Sequence, residues 1–186
     1  MTHDHMSASP FVASWIAELA ARRERHRSVG ATPPQRALDL AMGRGRHALL
    51  LAKHGFVTFG VDANCGLVGE AMHAAAREGL VVNGWCADLT ISSLPESAFD
   101  VVVVARYLQR DLFDAIKASV TRRGCVIYET FTVAQLAHGT GPKSPAHLLR
   151  PGELRSIFAG WNELFYAEVD APDAVARLVA QRSLSG

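Results

Sequence analysis

Along this chain, hydrophobic positions first recur at helical spacing over residues 11–21. Phe11, Val12, Trp15, Ile16 and Leu19 share one face there, and Ser9-Pro10 provides a suitable start. Arg22, Arg23, Arg25, His26 and Arg27 follow, where cations favour a helix C-terminus. A breaker cluster at 30–34 separates this helix from the body of the chain. From residue 35 the period switches repeatedly. Short apolar or β-branched runs at 36–40, 56–61, 80–87, 99–105 and 124–131 read as strands, and the stretches at 46–54, 66–78, 110–121 and 152–158 read as helices. Val101-Val102-Val103-Val104 is unbroken, as suits a strand buried on both faces of a parallel sheet. Two last strands, 161–169 and 174–180, flank an Ala171-Pro172-Asp173 turn and must be antiparallel to each other.

Strand–helix alternation implies right-handed crossovers and a sheet covered by helices on both faces. The expected fold is therefore α/β, a doubly wound, mostly parallel, seven-stranded Rossmann-like sheet with a reversed C-terminal strand. Residues 1–34 are expected to form an N-terminal helix and linker covering the pocket, and residues 35–186 a single domain. In such sheets ligands bind at the C-terminal ends of the strands, where the strand order switches.

Composition narrows the class of function. The chain has 186 residues, 49% of them hydrophobic, with 19 Lys+Arg against 18 Asp+Glu. That describes one globular domain, and a net charge of +1 exerts no general pull on nucleic acid or an anionic bilayer. No apolar run approaches the roughly 20 residues of a membrane span, and the polar start lacks the apolar core of a signal peptide. Cys65, Cys86 and Cys125 are odd in number and form no C-x-x-C pair, so they read as small buried hydrophobes rather than a disulfide framework or zinc site. His3 and His5 have copper- or nickel-binding chemistry, but a polar chain start needs no such role, and no metal site is expected. A cytoplasmic, reduced, soluble protein is the reading, monomeric or homodimeric, without membrane or nucleic-acid partners.

The most informative segment is the turn after the first strand, Asp39-Leu40-Ala41-Met42-Gly43-Arg44-Gly45-Arg46-His47-Ala48. Gly43 and Gly45 let a backbone approach a ligand that a Cβ would push away, and the helix behind them presents unpaired N–H groups. Asp62, ending the second strand, is placed to accept hydrogen bonds from both hydroxyls of a ribose. This arrangement fits two cofactors. Gly43-x-Gly45-x-x-Ala48 satisfies the dinucleotide fingerprint, with Asp62 at the right remove. Three features favour S-adenosylmethionine instead. Asp39 can meet the cationic methionine moiety, whereas beside a pyrophosphate it would make a like-charge contact. Asp88 is positioned to take the adenine amino proton. The chain also leaves no room for a separate substrate domain, and Asp111, not Lys, follows Tyr107 at the hydride-transfer spacing.

At this point the segment ALDLAMGRGRHALLLAKHGFVTFGVDAN resembles the first motifs of class I S-adenosylmethionine-dependent methyltransferases. It is similar to the small bacterial type akin to tellurite-resistance methyltransferases, with a Gly-Arg-His step after the glycines. CADL (86–89), FDVVVVARYL (99–108), YETF (128–131) and LLRPGEL (148–154) extend the similarity over nearly the whole chain. The resemblance implies that Asp39, Ala41, Gly43 and Gly45 cradle the methionine part, that Asp62 with Ala63 holds the ribose, that Asp88 with Leu89 frames the adenine, and that Arg106 lies at the cofactor. S-adenosylhomocysteine would be the product. Two departures are Ala41, where the family has a glycine, and Met42, where it has Cys or Thr.

Methyl transfer from a sulfonium is an in-line displacement in which alignment is the enzyme's main contribution. A soft thiolate or reduced chalcogen needs little base assistance, whereas an oxygen or amine benefits from one. The signature of base-amine methylation is missing, since Ala105-Arg106-Tyr107-Leu108 follows the fourth strand, and no cysteine precedes a proline. The expected acceptor is a small molecule: a thiol, a chalcogen oxyanion or a small metabolite. Glu129 is the candidate base, because a carboxylate buried in an apolar strand without a partner is costly, and Tyr107 is its candidate companion. Arg110, Thr130, Phe131, His138, His147 and Arg150 are candidate substrate contacts, several of them on the long 133–151 segment. His47 reads as structural or cofactor-adjacent rather than as a base. The Arg22–Arg27 cluster motivates an alternative RNA or protein acceptor, and the absence of an obvious base motivates a non-catalytic cofactor-binding module.

Overall fold

The computed structural model describes residues 7–26 and 33–183. His3, His5, Arg27 and the start of the breaker cluster lie outside the described residues. The elements run α1 (Pro10–His26), β1 (Arg36–Leu40), α2 (Arg46–Lys53), β2 (Val57–Asp62), α3 (Cys65–Arg77), β3 (Val82–Cys86), β4 (Phe99–Ala105), α4 (Phe113–Ser119), β5 (Val120–Phe131), α5 (Glu153–Ile157), β6 (Asn162–Val169) and β7 (Val175–Gln181). Among the described residues the strands form one seven-stranded mixed sheet in the order β3-β2-β1-β4-β5-β7-β6. The reversed strand is β7, antiparallel to both β5 and β6, as the tight turn before it requires. The chain divides into two compact units, residues 1–89 and residues 90–186.

In the first unit β1, β2 and β3 are parallel, with Asp39 opposite Gly60 and Asp62 opposite Cys86. Their C-terminal ends are thereby brought side by side. The core between strands and helices is Met42, Ala48, Val68, Ala71, Ala75 and Val82. Two glycines make it fit. At Gly45, with φ +73°, an added Cβ would stand 2.6 Å from that of Ala71, so the start of α2 packs on α3 only without a side chain. At Gly60 a Cβ would overlap the Met42 sulfur, so the missing side chain in β2 is the socket that receives Met42. The helix α1 runs through the arginine stretch to His26. Arg23 donates to the carbonyls of His54 (2.9 Å) and Gly55 (3.0 Å) and lies over the Phe56 ring at 4.9 Å, while Arg22 and Arg25 both pair with Glu18.

In the second unit β4 and β5 are parallel, and Val102, Val103 and Val104 are fully buried, as their unbroken run predicts. One boundary differs from expectation. The helix expected to reach residue 121 ends at Ser119, and β5 begins at once with Val120. The Ser119 hydroxyl donates back to the Ile116 carbonyl at 2.8 Å, and Thr121 donates to the Asp100 carboxylate at 3.0 Å across the sheet. β-branched Val120 and Thr121 favour the pleated conformation, and β4 supplies the partner.

The cysteines require a correction. Cys125 is buried and free, as expected, but Cys65 and Cys86 are exposed and joined by a disulfide with Cα atoms 5.0 Å apart. Their sequence separation is 21, and nothing in that spacing announces a bridge. Parallel pairing of Asp62 with Cys86 sets the first turn of α3 beside the end of β3, and only this proximity makes the bond possible.

Replacing Gly60 by alanine is expected to lower stability by about 1–3 kcal/mol through overpacking against Met42. The double variant Gly60→Ala/Met42→Ala should lose less than the two single losses summed. Urea denaturation of the four proteins measures this, and strict additivity would refute the socket.

Candidate active site

The first unit gathers three acids at the ends of adjacent strands. Asp39 is the penultimate residue of β1, Asp62 the last of β2, and Asp88 stands two residues past β3. The main chain of Ala87 donates to the Asp62 carbonyl at 3.1 Å, which ties the exit of β3 to that of β2. The environments of the three differ sharply.

Asp39 is 1% exposed. One carboxylate oxygen accepts from the Ala48 N–H at 2.9 Å, in the first turn of α2, and the other lies 4.0 Å from His47 Nδ1. Burial pushes its carboxyl up from the ordinary range to about 7, against the lowering effect of the Ala48 N–H and Arg46 and with a further upward push from Asp62. His47 is itself buried, and its Nε2 accepts from the Ser9 N–H at 3.1 Å. That bond places the remaining ring proton on Nδ1, toward Asp39, and links the start of α1 to the glycine turn.

Asp62 is half-buried and ties two turns together. Its Oδ2 accepts from the Gly43 N–H at 2.8 Å and its Oδ1 from the Asn64 N–H at 2.9 Å. A carboxylate oxygen can accept more than one hydrogen bond, so the pair is chemically suited to two neighbouring hydroxyls. A Cβ built on Gly43 meets nothing within 4 Å, so the turn opens onto free space at the point expected to face a ligand. Ala63 and Asp88 are exposed, and Leu89 is buried. Ala41 takes the left-handed backbone, φ +54°, which explains why a glycine would serve at this position and costs an alanine about 1 kcal/mol. Met42 points into the core against Gly60 rather than across the turn. The donor and acceptor set fits an adenosine carrying a cationic tail.

The second unit holds the other predicted residues. Glu129 is buried, yet it has a partner that the sequence reading did not find. Arg177 stands directly opposite on β7 and donates from Nε at 2.7 Å. A single base in the apolar run of β7 is the counterpart signal to a single acid in β5, and cross-strand register joins them. Arg106 also adopts the left-handed backbone, φ +58°. Its guanidinium pairs with Asp173 at 2.9 Å and lies over the Phe131 ring at 5.4 Å. The Tyr107 hydroxyl donates to Gln109. Thr130 is 1% exposed, and Phe131 packs with Leu148 and Val175.

Arg110 clasps the long segment instead of standing open. It makes a paired contact with Glu153 at 2.7 and 3.0 Å and donates to the carbonyls of Ala146 (3.0 Å) and Leu148 (2.9 Å). The guanidinium holds the Glu153 carboxyl below the usual carboxylate range. Gln135, unremarked in the sequence, is fully buried and anchors the same segment. Its amide donates to the Thr140 carbonyl at 3.2 Å and accepts from the Ala174 N–H at 2.6 Å. His138, His147 and Arg150 remain exposed on that segment. Among the described residues no cluster of three or more His, Cys, Asp or Glu could hold a metal ion, and no helix is long and apolar enough to cross a membrane.

Residues 37–123 match the family described as "Methyltransferase domain". A ubiquinone biosynthesis O-methyltransferase of Coxiella burnetii is 32% identical over 72 residues, which cover 39% of this chain and 31% of that protein. The chain thus spans under a third of the length of the curated relatives it matches. The structure of TehB from Haemophilus influenzae superposes with a TM-score of 0.70 at 18% identity, covering 91% of this chain and 62% of the other. An S-adenosylmethionine-dependent methyltransferase from Mesorhizobium loti gives 0.65 at 17% identity, covering 90% and 100%. Residues 37–123 thus resemble a methyltransferase domain, and the likeness to the solved structures shows a shared fold.

Proposed function

We propose that this protein transfers a methyl group from S-adenosylmethionine to a small molecule. The observation that carries the reading is Asp62, whose two oxygens each accept one main-chain N–H from a different turn and retain acceptor capacity toward a diol. When bound, the cofactor supplies an electrophilic methyl on a sulfonium. The chain's own residues do the rest. Asp62 and Ala63 hold the ribose, Asp88 and Leu89 frame the adenine, and Ala41, Gly43 and Gly45 shape the turn around the methionine part. Asp39 acts from beneath the turn, because its carboxylate is buried there. Its negative charge favours a cation above it, while its bond to Ala48 keeps the turn in shape.

On the acceptor side, Tyr107 and Glu129 are the proposed proton-handling groups, with Glu129 oriented by Arg177. A thiol or reduced chalcogen would need them little. His138, His147 and Arg150 are proposed as an exposed wall for the acceptor, and Arg110 as the residue that holds that wall in place. A small acceptor is supported over RNA or protein by the arginines of α1. Arg22, Arg23 and Arg25 are engaged by Glu18, Phe56 and main-chain carbonyls, and the net charge is +1. The Coxiella relative is itself named for an O-methyltransferase step in ubiquinone biosynthesis.

Two outcomes are expected. Asp62→Ala should weaken S-adenosylhomocysteine binding roughly 10- to 100-fold, the worth of hydrogen bonds to a charged group, with far-UV circular dichroism unchanged; calorimetry that finds equal affinity would remove the ribose assignment. The second concerns pH. A carboxyl raised to about 7 by burial lends folding stability below the ordinary carboxylate range, and that contribution is lost as pH rises through about 7. A cationic ligand favours the ionised form, so affinity for S-adenosylmethionine relative to the uncharged thioether of S-adenosylhomocysteine should rise between pH 6 and 8. Asp39→Asn should flatten that dependence, and a slope that survives the substitution would show that another group is responsible.

A further inference from the structure

The disulfide sits at the rim of the proposed adenosine site. Cys65 opens α3, three positions after Asp62, and Cys86 ends β3, two positions before Asp88. The turn between Asp62 and Cys65 is a connected hydrogen-bonded unit. Asn64 donates its N–H to Asp62 and uses its side-chain oxygen to accept from the N–H groups of Gly66 (3.0 Å) and Leu67 (3.2 Å). Bridging Cys65 to Cys86 therefore clamps the turn that orients the Asp62 carboxylate onto the strand that delivers Asp88. Beside the bridge, the Ala87 N–H donates to the Asp62 carbonyl and the ladder pairs Asp62 with Cys86. Both cysteines are exposed, and exposed disulfides are the ones that exchange with solution thiols.

We propose that Cys65 and Cys86 form a reversible thiol–disulfide modification site whose oxidised state binds the adenosine portion of the cofactor more tightly than the reduced state. The inference rests on the reading that Asp62 and Asp88 hold adenosine. The co-reactant is a low-molecular-weight disulfide such as oxidised glutathione. Cys65, at a helix start that favours negative charge on sulfur, attacks one sulfur of that disulfide as the thiolate and expels one thiolate. Cys86, as its thiolate, then displaces the second from the mixed disulfide. The protein dithiol loses two electrons and its two protons, and the small disulfide is reduced to two thiols. Binding is tighter in the bridged form because two groups that must converge on one ligand are already held together. Linkage makes the effect mutual: whatever factor the bridge adds to nucleoside affinity, the nucleoside adds to the equilibrium constant for forming the bridge.

Two measurements on the full chain test this. Calorimetry with S-adenosylhomocysteine, on protein reduced by dithiothreitol and on protein oxidised by glutathione disulfide and verified by mass, should show affinity about tenfold higher when oxidised. Alkylation and mass spectrometry across a series of glutathione redox buffers should show the bridge-forming equilibrium shifted by the same factor when the nucleoside is saturating. Cys65→Ser and Cys86→Ser should each bind like the reduced protein and ignore the redox buffer, while Cys125→Ser keeps the full response. Equal affinity in the two verified states, or failure of the bridge to form in oxidised glutathione, overturns the proposal and leaves the cofactor reading standing. If neither state binds the nucleoside, the cofactor reading itself falls, and this inference with it.

Discussion

The arrangement at the strand ends of the first unit depends on one carboxylate accepting main-chain protons from two directions. Asp62 receives the N–H of Gly43 from the turn after β1 and that of Asn64 from the turn after β2. Main-chain donors at such turns must find partners, and a single acid at a strand end serves both while keeping acceptor capacity toward the outside. The parallel sheet makes this possible. Because β1, β2 and β3 run the same way, their exits and the helix starts that follow them fall on one edge.

A second constraint operates beneath that edge. Asp39 and His47 are both buried, and each is satisfied by the main chain: Asp39 by Ala48, His47 by Ser9. Leaving either polar group unmatched in the interior would be expensive. The glycine turn is thus supported from below by an acid whose ionisation is suppressed and from the side by the start of α1.

The second unit solves a different problem with the same means. Its acids and bases meet in pairs: Glu129 with Arg177, Arg106 with Asp173, Arg110 with Glu153. The first is a cross-strand pair inside an apolar sheet. The last draws the chain carbonyls of Ala146 and Leu148 onto a guanidinium and turns a long, proline- and glycine-containing segment into an ordered one. Gln135 repeats that role from inside, with no charge at all. Arg110, a candidate substrate contact in the sequence, here binds Glu153 and two main-chain carbonyls.

Local chemistry made much of this protein readable in advance. The two periods of hydrophobicity, the unbroken valines of β4, the glycine turn and the acids at strand ends are properties of short stretches, and short stretches are where backbone preference and burial on one face are decided. The alternation of strands and helices then leaves few topologies open, so the seven-stranded sheet with β7 reversed followed from the chain's order alone. Partners distant in sequence were not readable. That Arg177 neutralises Glu129, that Gly60 receives Met42, that Arg110 is occupied by Glu153, and that Cys65 meets Cys86 all depend on strand register and helix placement, which bring together side chains with 18 to 48 positions between their numbers. Sequence determined which groups had to be present at the edge of the sheet; only the tertiary structure decided which of them were already paired, because pairing depends on distances through space that the order of residues does not contain.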